Sequence, residues 1–305
     1  MTIEDWASRR RAIEGSRHWS NRGGRRARWR KVPFHLALRA LGRVLPVTGL
    51  DRRGRRNALD IECRAFEVAL PGLPSAFDGY RVLHVSDTHL DNLPALADAA
   101  RALLDGVEVD LLALTGDVHG RWRAPVARSM ALLQHAIGPV SVRGPRLAVL
   151  GNHDPVEMAA QLADAGFEVL LNRSVVVRRG DDAIRFTGLD DVHSFFTEHA
   201  LAALDDHAGE FRIALVHSAE AADDAARAGY SLYLCGHTHG GQICLPSGRP
   251  VVTHLHRCRH AAQGLWREGD MVGYTSQGLG VSDLALRFHS RGGVAILTLR
   301  PASRP

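Results

Sequence analysis

Five apolar runs of the sequence each end in a loop that carries aspartate, asparagine or histidine. The runs are Tyr80–Ser86, Leu111–Thr115, Leu147–Leu150, Phe211–Val216 and Ser231–Cys235. Each is short and stops at a glycine or a polar residue, which is typical of a buried β-strand. Helical patterns lie between them over Pro94–Leu104, Val126–His135, Val156–Ala165 and Ala219–Ala228. Strands that alternate with helices predict an α/β fold.

The loops after these strands are rich in groups that bind metals. Seven strong candidates follow the five strands, namely Asp87, His89, Asp117, Asn152, His217, His237 and His239. Because ligands of α/β sheets bind beyond the carboxyl ends of the strands, we expect these side chains to converge on one site. Mixed oxygen and nitrogen donors suit Mn²⁺, Fe²⁺ or Zn²⁺ better than Ca²⁺. Seven donors fill two coordination shells only if one carboxylate bridges the ions.

The motifs DTH, GD, GNHD, H and GHTH, in this order, resemble the calcineurin-like metallophosphoesterase superfamily over residues 59–300. A narrower resemblance rests on GHTHGGQICLP and on YTSQGLG at Tyr274–Gly280. It is to a bacterial branch whose members are often membrane-associated, and some of which hydrolyse UDP-2,3-diacylglucosamine in lipid A synthesis. The sequence has Ser290–Gly293 where that branch usually shows a Pro-Glu pair. This difference weakens the inference of a substrate from the branch more than the inference of catalytic chemistry.

The resemblance implies a four-layer αββα sandwich of two mixed sheets flanked by helices, with a dinuclear metal site at the sheet edges. By position it implies that Asp87, His89 and His239 bind the first ion. It implies that Asp117 bridges the ions and that the second is bound by Asn152, His217 and His237. Manganese is the expected metal, with iron or zinc as alternatives.

The resemblance also implies how the site would act on a phosphoester. A hydroxide that bridges the two ions would attack phosphorus in line. His153 would stay off the metals and donate a hydrogen bond or a proton to the departing oxygen, with Asp154 orienting it.

Three further residues are candidates for substrate contact. His119 and Arg123 lie in the loop after Asp117, and Arg287 follows the YTSQGLG stretch. For His119 and Arg123 the alternative is an ordinary solvated loop residue. For Arg287 it is a salt bridge within the fold.

The N-terminal region differs in charge from the rest of the chain. Residues 1–60 hold 16 basic against 5 acidic residues, whereas the remainder is net acidic. We divide the chain into a basic arm, 1–58, and a metallophosphoesterase domain, 59–305. Within the arm we expect residues 1–31 to be flexible and residues 51–57 to be a linker. Over Val32–Leu45 we expect an amphipathic helix, either at a membrane interface or packed on the body of the protein. Residues 1–50 fit an anionic membrane surface, with a solvated free tail as the alternative.

The expected protein is a metal-dependent hydrolase of a phosphodiester or pyrophosphate bond, acting on a phosphoester or a lipid-linked nucleotide such as UDP-2,3-diacylglucosamine. A generic phosphodiesterase or phosphatase with a soluble substrate is the alternative. A nuclease is less favoured, because an acidic body with 6% aromatic residues offers little for base stacking. No protein partner is implied. Four cysteines without paired spacing and no apolar run of 18 residues indicate a cytoplasmic protein, peripheral on the inner membrane in the lipid-linked version.

Overall fold

The computed structural model of the chain describes residues 3–15, 45, 48–121, 124–195, 198–205 and 210–302. The strands in this part are β1 (Glu62–Pro71), β2 (Arg81–Val85), β3 (Glu108–Val109), β4 (Leu111–Thr115), β5 (Ser141–Val142), β6 (Arg146–Val149), β7 (Glu168–Val169), β8 (Arg173–Arg179), β9 (Asp182–Gly188), β10 (Arg212–Leu215), β11 (Leu232–Cys235), β12 (Gly264–Glu268), β13 (Met271–Thr275) and β14 (Gly293–Ala302).

Seven α-helices lie in the same ranges. They are α1 (Ile3–Gly15), α2 (Leu50–Leu59), α3 (Ala95–Leu103), α4 (Val126–Ile137), α5 (Glu157–Asp164), α6 (Glu198–Ala202) and α7 (Ala222–Arg227). None of the described helices combines the length and the apolar character that a membrane crossing needs.

Most of the strands form two six-stranded mixed sheets. The first has the order β1-β14-β2-β4-β6-β7 and the second the order β12-β13-β11-β10-β9-β8. Strands β2, β4 and β6 are parallel neighbours in the first sheet, and β9, β10 and β11 are parallel neighbours in the second. The carboxyl ends of each parallel set therefore lie along one edge of its sheet, as the sequence pattern predicts.

Three apolar clusters hold these elements in four layers. One cluster lies between the sheets and joins residues such as Leu111 and Leu147 of the first sheet to Phe186 and Ile213 of the second. A second covers the outer face of the first sheet with α3, α4 and α5, and a third covers the outer face of the second sheet with α6 and α7. The arrangement confirms the predicted α/β fold of two mixed sheets flanked by helices.

Two stretches of the N-terminal region, residues 3–15 and 51–57, are more ordered than the sequence pattern indicates. Residues expected to be flexible form α1, whose Trp6 and Ala7 are buried against the cluster of the first sheet. The stretch 51–57 is part of α2 and is not a linker. This helix packs closely on Leu286. A Cβ on Gly54 would lie 2.6 Å from Leu286 Cβ, so only glycine allows this approach. The helix expected over Val32–Leu45 lies outside the described residues except for Leu45, and the boundary at residue 59 stays a prediction.

Candidate metal centre

The seven candidate ligands come from the carboxyl ends of five strands. Asp87 and His89 follow β2, Asp117 follows β4 and Asn152 follows β6 in the first sheet, while His217 follows β10 and the pair His237 and His239 follows β11 in the second. Contacts between the loops join the two sheet edges. The backbone N–H of His237 donates to the Asp87 carboxylate at 2.9 and 3.0 Å, and the His217 ring contacts the carbonyl of Thr115 at 2.8 Å.

The donors fall into two overlapping groups whose ligand atoms lie within 4.8 Å of one another. They are Asp87 with His89 and His239, and Asp87 with Asp117 and His217. One oxygen of Asp117, Oδ2, lies 3.3 Å from both His89 Nε2 and His217 Nε2, which belong to different groups. A carboxylate oxygen between the two donor sets is where a bridging ligand would sit.

Asn152 extends the second group. Its Oδ1 lies 3.1 Å from His217 Nε2 and 2.9 Å from His237 Nδ1, and these two nitrogens are 3.3 Å apart. One amide oxygen and two imidazole nitrogens thus face a common point. An amide ligand adds no negative charge, so a cation held there stays electrophilic.

The far side of two imidazoles is fixed by backbone carbonyls. His89 Nδ1 lies 2.8 Å from the oxygen of His119, and His217 Nδ1 lies 2.8 Å from the oxygen of Thr115. Each Nδ1–H is the donor, which directs each Nε2 into the site, as is usual for metal-bound histidines. His89 Nε2 is buried and makes no well-formed hydrogen bond among the described residues, although Asp117 Oδ2 lies 3.3 Å away. The chemistry and the geometry of the donor set fit a pair of divalent cations.

The buried carboxylates draw positive charge to the site. Burial alone would raise the pKa of Asp117, but the imidazoles of His217 and His153 hold it well below its usual range. Burial alone would lower the pKa values of His89 and His217, but Asp117 and Asp87 raise them to about 9 and about 10. Asp117 is therefore ionised at neutral pH, as a metal-bridging ligand must be.

The ligand loops are tightly turned. Five candidate ligands have a positive φ, between 35° and 73°, namely Asp87, His89, Asp117, His237 and His239. Such conformations are costly for residues other than glycine and cluster at functional sites. Two glycines let the loops meet, because a Cβ on Gly151 would lie 2.1 Å from Asp117 Oδ1 and one on Gly236 would lie 2.0 Å from Asp87 Oδ2.

His153 lies beside the donors but outside both groups. Its backbone N–H donates to Asp117 Oδ1 at 2.8 Å, and its ring packs edge-on to His89 with centroids 5.0 Å apart. Burial lowers the pKa of His153 in spite of the nearby Asp117 charge. This position fits a histidine that acts on the substrate.

The structure shows Asp154 in a role that the sequence does not predict. Its fully buried carboxylate accepts hydrogen bonds from the backbone N–H groups of Asp117, His119 and Gly151 at 2.7, 3.0 and 2.9 Å. Among the described residues no hydrogen bond joins this carboxylate to the His153 ring, and the orienting role stays a prediction. Asp154 ties the loop after β4 to the loop after β6.

The three predicted substrate contacts fare differently. His119 is buried, and its Nδ1 lies 2.9 Å from the Ser129 hydroxyl, so it is not a solvated loop residue. Arg287 is fully buried, and its guanidinium donates to the carbonyls of four residues, His239, Gln277, Gly278 and Gly280. The guanidinium therefore holds the loops behind His239 and is not presented to a substrate. Arg123 lies outside the described residues.

Several buried groups around the site escape sequence reasoning. Ser86 Oγ donates to Asp87 at 2.6 Å, and Asp91 accepts from the backbone of Gly120 and Arg121. His193 Nδ1 lies 3.0 Å from Glu220 Oε2, and the His193 ring packs against His237 with centroids 4.3 Å apart. Ser86 is adjacent to Asp87 but belongs to no motif, and the other contacts join loops that are distant in the sequence, so no local pattern marks these residues.

Comparisons with known proteins agree with this site. The family model described as "Calcineurin-like phosphoesterase" matches residues 80–241, more than half of the chain and all seven candidate ligands. The uncharacterized metallophosphoesterase YkuE of Bacillus subtilis (strain 168) is 29% identical over 75% of this chain and 82% of its own. YkoQ of the same organism, also an uncharacterized metallophosphoesterase, is 28% identical over 78% and 90%. Phosphodiesterase YaeI of Escherichia coli (strain K12) is 27% identical over 72% and 82%.

The two-sheet α/β fold, the candidate metal ligands at the carboxyl ends of its strands and the family match together indicate a metal-dependent phosphoester hydrolase. The chain belongs to the calcineurin-like phosphoesterase family.

Proposed function

We propose that this chain is a phosphodiesterase with a dinuclear metal centre. The observation that carries the proposal is the position of Asp117 Oδ2, 3.3 Å from one imidazole of each donor group. Asp87, His89 and His239 would hold the first ion. Asn152, His217 and His237 would hold the second, and Asp117 would join the two shells. Manganese is the metal we propose, with iron or zinc as alternatives.

Two divalent ions bound here would supply a nucleophile at neutral pH and offset charge on the phosphoryl oxygens. The chain's own contribution is orientation. His153, held through its backbone by Asp117, is placed to donate a hydrogen bond or a proton to the leaving oxygen. Asp154 and Arg287 keep the ligand loops in place through backbone contacts.

A diester rather than a monoester substrate is supported by the relative named phosphodiesterase. The test compares bis-p-nitrophenyl phosphate with p-nitrophenyl phosphate, using purified protein loaded with Mn²⁺. We expect the diester to be cleaved with the higher kcat/KM, and the monoester to be turned over at least about tenfold more slowly. Faster turnover of the monoester would contradict the phosphodiesterase assignment and identify a phosphatase.

A lipid-linked nucleotide such as UDP-2,3-diacylglucosamine is the second candidate, favoured by one feature of the surface. A cleft of about 410 Å³ opens beside the loop that follows Asp117. Its wall combines apolar residues, Leu45, Leu284, Ala285 and Leu286, with polar ones, Asp51, Arg55, Asn92 and Arg121. Such a mixed wall suits an amphiphilic leaving group. Release of UMP from that substrate in detergent micelles, at a higher kcat/KM than for the generic diester, would select it.

We also propose that the protein works in the cytoplasm and that, in the lipid-linked case, it rests on the inner membrane. The arginines Arg52, Arg53 and Arg56 of α2 are exposed and would face anionic headgroups. Sedimentation with phosphatidylglycerol vesicles, but not with phosphatidylcholine vesicles, is expected for the wild type. If vesicle binding is retained after the three arginines are replaced by glutamine, α2 does not form the membrane contact.

A further inference from the structure

Helix α1 buries an arginine behind the loop that carries Asn152 and His153. Arg10 is 2% exposed, whereas its neighbours Arg9 and Arg11 are exposed. Arginine is rarely buried this deeply unless its charge and its donors are matched, because desolvation of an unpaired charge is costly. The contacts of Arg10 show what it is matched to.

The guanidinium of Arg10 joins loops from both sheets. It forms an ion pair with Asp190, which follows β9 of the second sheet, and its Nη2 donates to the carbonyls of Gly151 and Asp154 at 2.7 and 2.6 Å. Its plane covers the ring of Phe195, with the Cζ 3.9 Å from the ring centroid. A planar fork of donors can serve acceptors in several directions at once, which a lysine ammonium cannot do in the same geometry.

Two other residues of α1 reinforce this contact. The indole N–H of Trp6 donates to the second carboxylate oxygen of Asp190 at 2.6 Å. Glu14 Oε1 accepts from the backbone N–H of Val156 at 3.0 Å, directly after the same loop. Trp6, Arg10 and Glu14 lie one turn apart on one face of α1. Through Arg10 and Glu14 this face binds residues 151–156 on the side away from the metal ligands.

The two carbonyls that Arg10 binds bracket the functional part of the loop. Between them lie Asn152, whose Oδ1 faces His217 and His237, and His153, whose N–H is bound by Asp117. Gly151 contributes no side chain that could hold the loop by packing. The inner side of the loop is fixed by carboxylates of the site, and the outer side is fixed by Arg10.

We propose that Arg10 is a positioning residue of the active site, which makes α1 a component of the catalytic domain. The inference rests on the proposed function, because it concerns the placement of Asn152 and His153. Loss of the Arg10 contacts lets residues 151–154 shift, which weakens the second metal shell and misplaces His153. Groups that orient metal ligands from behind typically change metal affinity or activity by about 10–100-fold when replaced.

The test replaces Arg10 and Asp190 together, so that neither charge of this pair is left buried alone. Glu14, whose Oε1 lies 3.5 Å from Arg10 Nε, keeps its bond from the backbone N–H of Val156. The double variant Arg10→Met with Asp190→Asn is compared with wild type and with Arg11→Met. Arg11 is 59% exposed in its side chain and lies 3.9 Å from Glu157 across the surface, so it is the matched control. We expect the double variant to melt within about 10 °C of wild type, and thus to be folded in the assay.

In the double variant, kcat for bis-p-nitrophenyl phosphate should fall about 10–100-fold while KM changes less than about threefold. Mn²⁺ affinity at the weaker of two sites, measured by calorimetric titration, should fall about tenfold, and amide hydrogen exchange in residues 151–156 should speed up. Arg11→Met should match wild type in all three. The single variant Arg10→Lys, which keeps the charge but not the fork, should lie between wild type and the double variant in kcat.

The proposal is overturned by a folded double variant whose kcat, Mn²⁺ affinity and exchange in residues 151–156 all stay within twofold of wild type. It is equally overturned by an exchange increase spread evenly over the whole chain, which would show general destabilisation. Absence of diester hydrolysis by the wild type would instead refute the proposed function. Exchange and metal affinity would still report on Arg10 in that case.

Discussion

Two buried aspartates from neighbouring motifs show how this site is divided. Asp117 directs its carboxylate at the imidazoles of His89 and His217, whereas Asp154 directs its carboxylate at three backbone N–H groups. We call the residues that face the common centre the inner wall, namely Asp87, His89, Asp117, Asn152, His217, His237 and His239. We call the groups that hold their loops from behind the outer wall, namely Asp154, Arg287 and Arg10.

The difference between the walls lies in what satisfies each charge. Inner-wall carboxylates face other ionisable side chains, so their charge is available to a cation. Outer-wall charges are satisfied by backbone amides and carbonyls, and in Arg10 also by the Asp190 carboxylate, so they fix geometry and offer nothing to a ligand. Replacing an inner-wall residue should therefore change metal binding and rate before stability, and replacing an outer-wall residue should change stability as well.

The largest effect is expected for Asp117→Asn, which keeps the size of the side chain but removes the charge of the proposed bridging ligand. Diester hydrolysis should fall below detection, by at least about 10³-fold, because both metal shells lose their common ligand. Melting of the metal-free protein should shift by only a few degrees. Wild-type turnover by this variant would contradict the division into walls.

His153→Ala should have a smaller effect on rate and none on metal content. We expect kcat to fall about 10²–10⁴-fold, the usual consequence of losing a general acid, with two ions still bound. Kinetics and elemental analysis on the same preparation check this. Loss of metal together with activity would show that His153 is a metal ligand and belongs to the inner wall.

Asp154→Asn, a replacement in the outer wall, should lower the stability of the protein. One amide group cannot accept all three backbone N–H bonds, and bonds to a charged acceptor contribute about 1.5–3 kcal/mol each. We expect the free energy of unfolding in urea to drop by about 2–4 kcal/mol. Asp164→Asn, on the exposed face of α5, should change it by less than about 0.5 kcal/mol.

The smallest effect is expected at α2, which lies outside both walls. Gly54→Ala places a methyl group 2.6 Å from Leu286 Cβ and should lower the free energy of unfolding by about 1–3 kcal/mol. Arg56→Ala, exposed in the same helix, is the control and should be nearly neutral. An equally neutral Gly54→Ala would mean that α2 is not docked.

The two walls also differ in how far the sequence predicts them. The inner-wall residues stand directly after apolar runs, so the local pattern locates Asp87 or His217 at a strand end and the α/β alternation brings those ends together. The α/β class follows from the same pattern, whereas the two mixed sheets flanked by helices are what the family resemblance implies. Arg10 cannot be found this way, since its partner Asp154 is 144 positions away.

Local sequence also fails to separate buried from exposed arginines. Arg9, Arg10 and Arg11 are consecutive and identical in kind, and only the helix rotation turns the middle one inward. The polar composition of residues 1–31 predicts a flexible arm. Residues 3–15 are ordered because Arg10 is buried against Asp190 and two backbone carbonyls, with Trp6 bound to the same aspartate.

The central claim is that the strand-end loops form a dinuclear centre, and a count of bound metal tests it most directly. Protein saturated with Mn²⁺ and freed of excess by gel filtration would be measured by mass spectrometry of the elements. We predict two ions per chain for the wild type and at most one for Asp117→Asn. A fully active wild type that retains a single ion per chain would contradict the account.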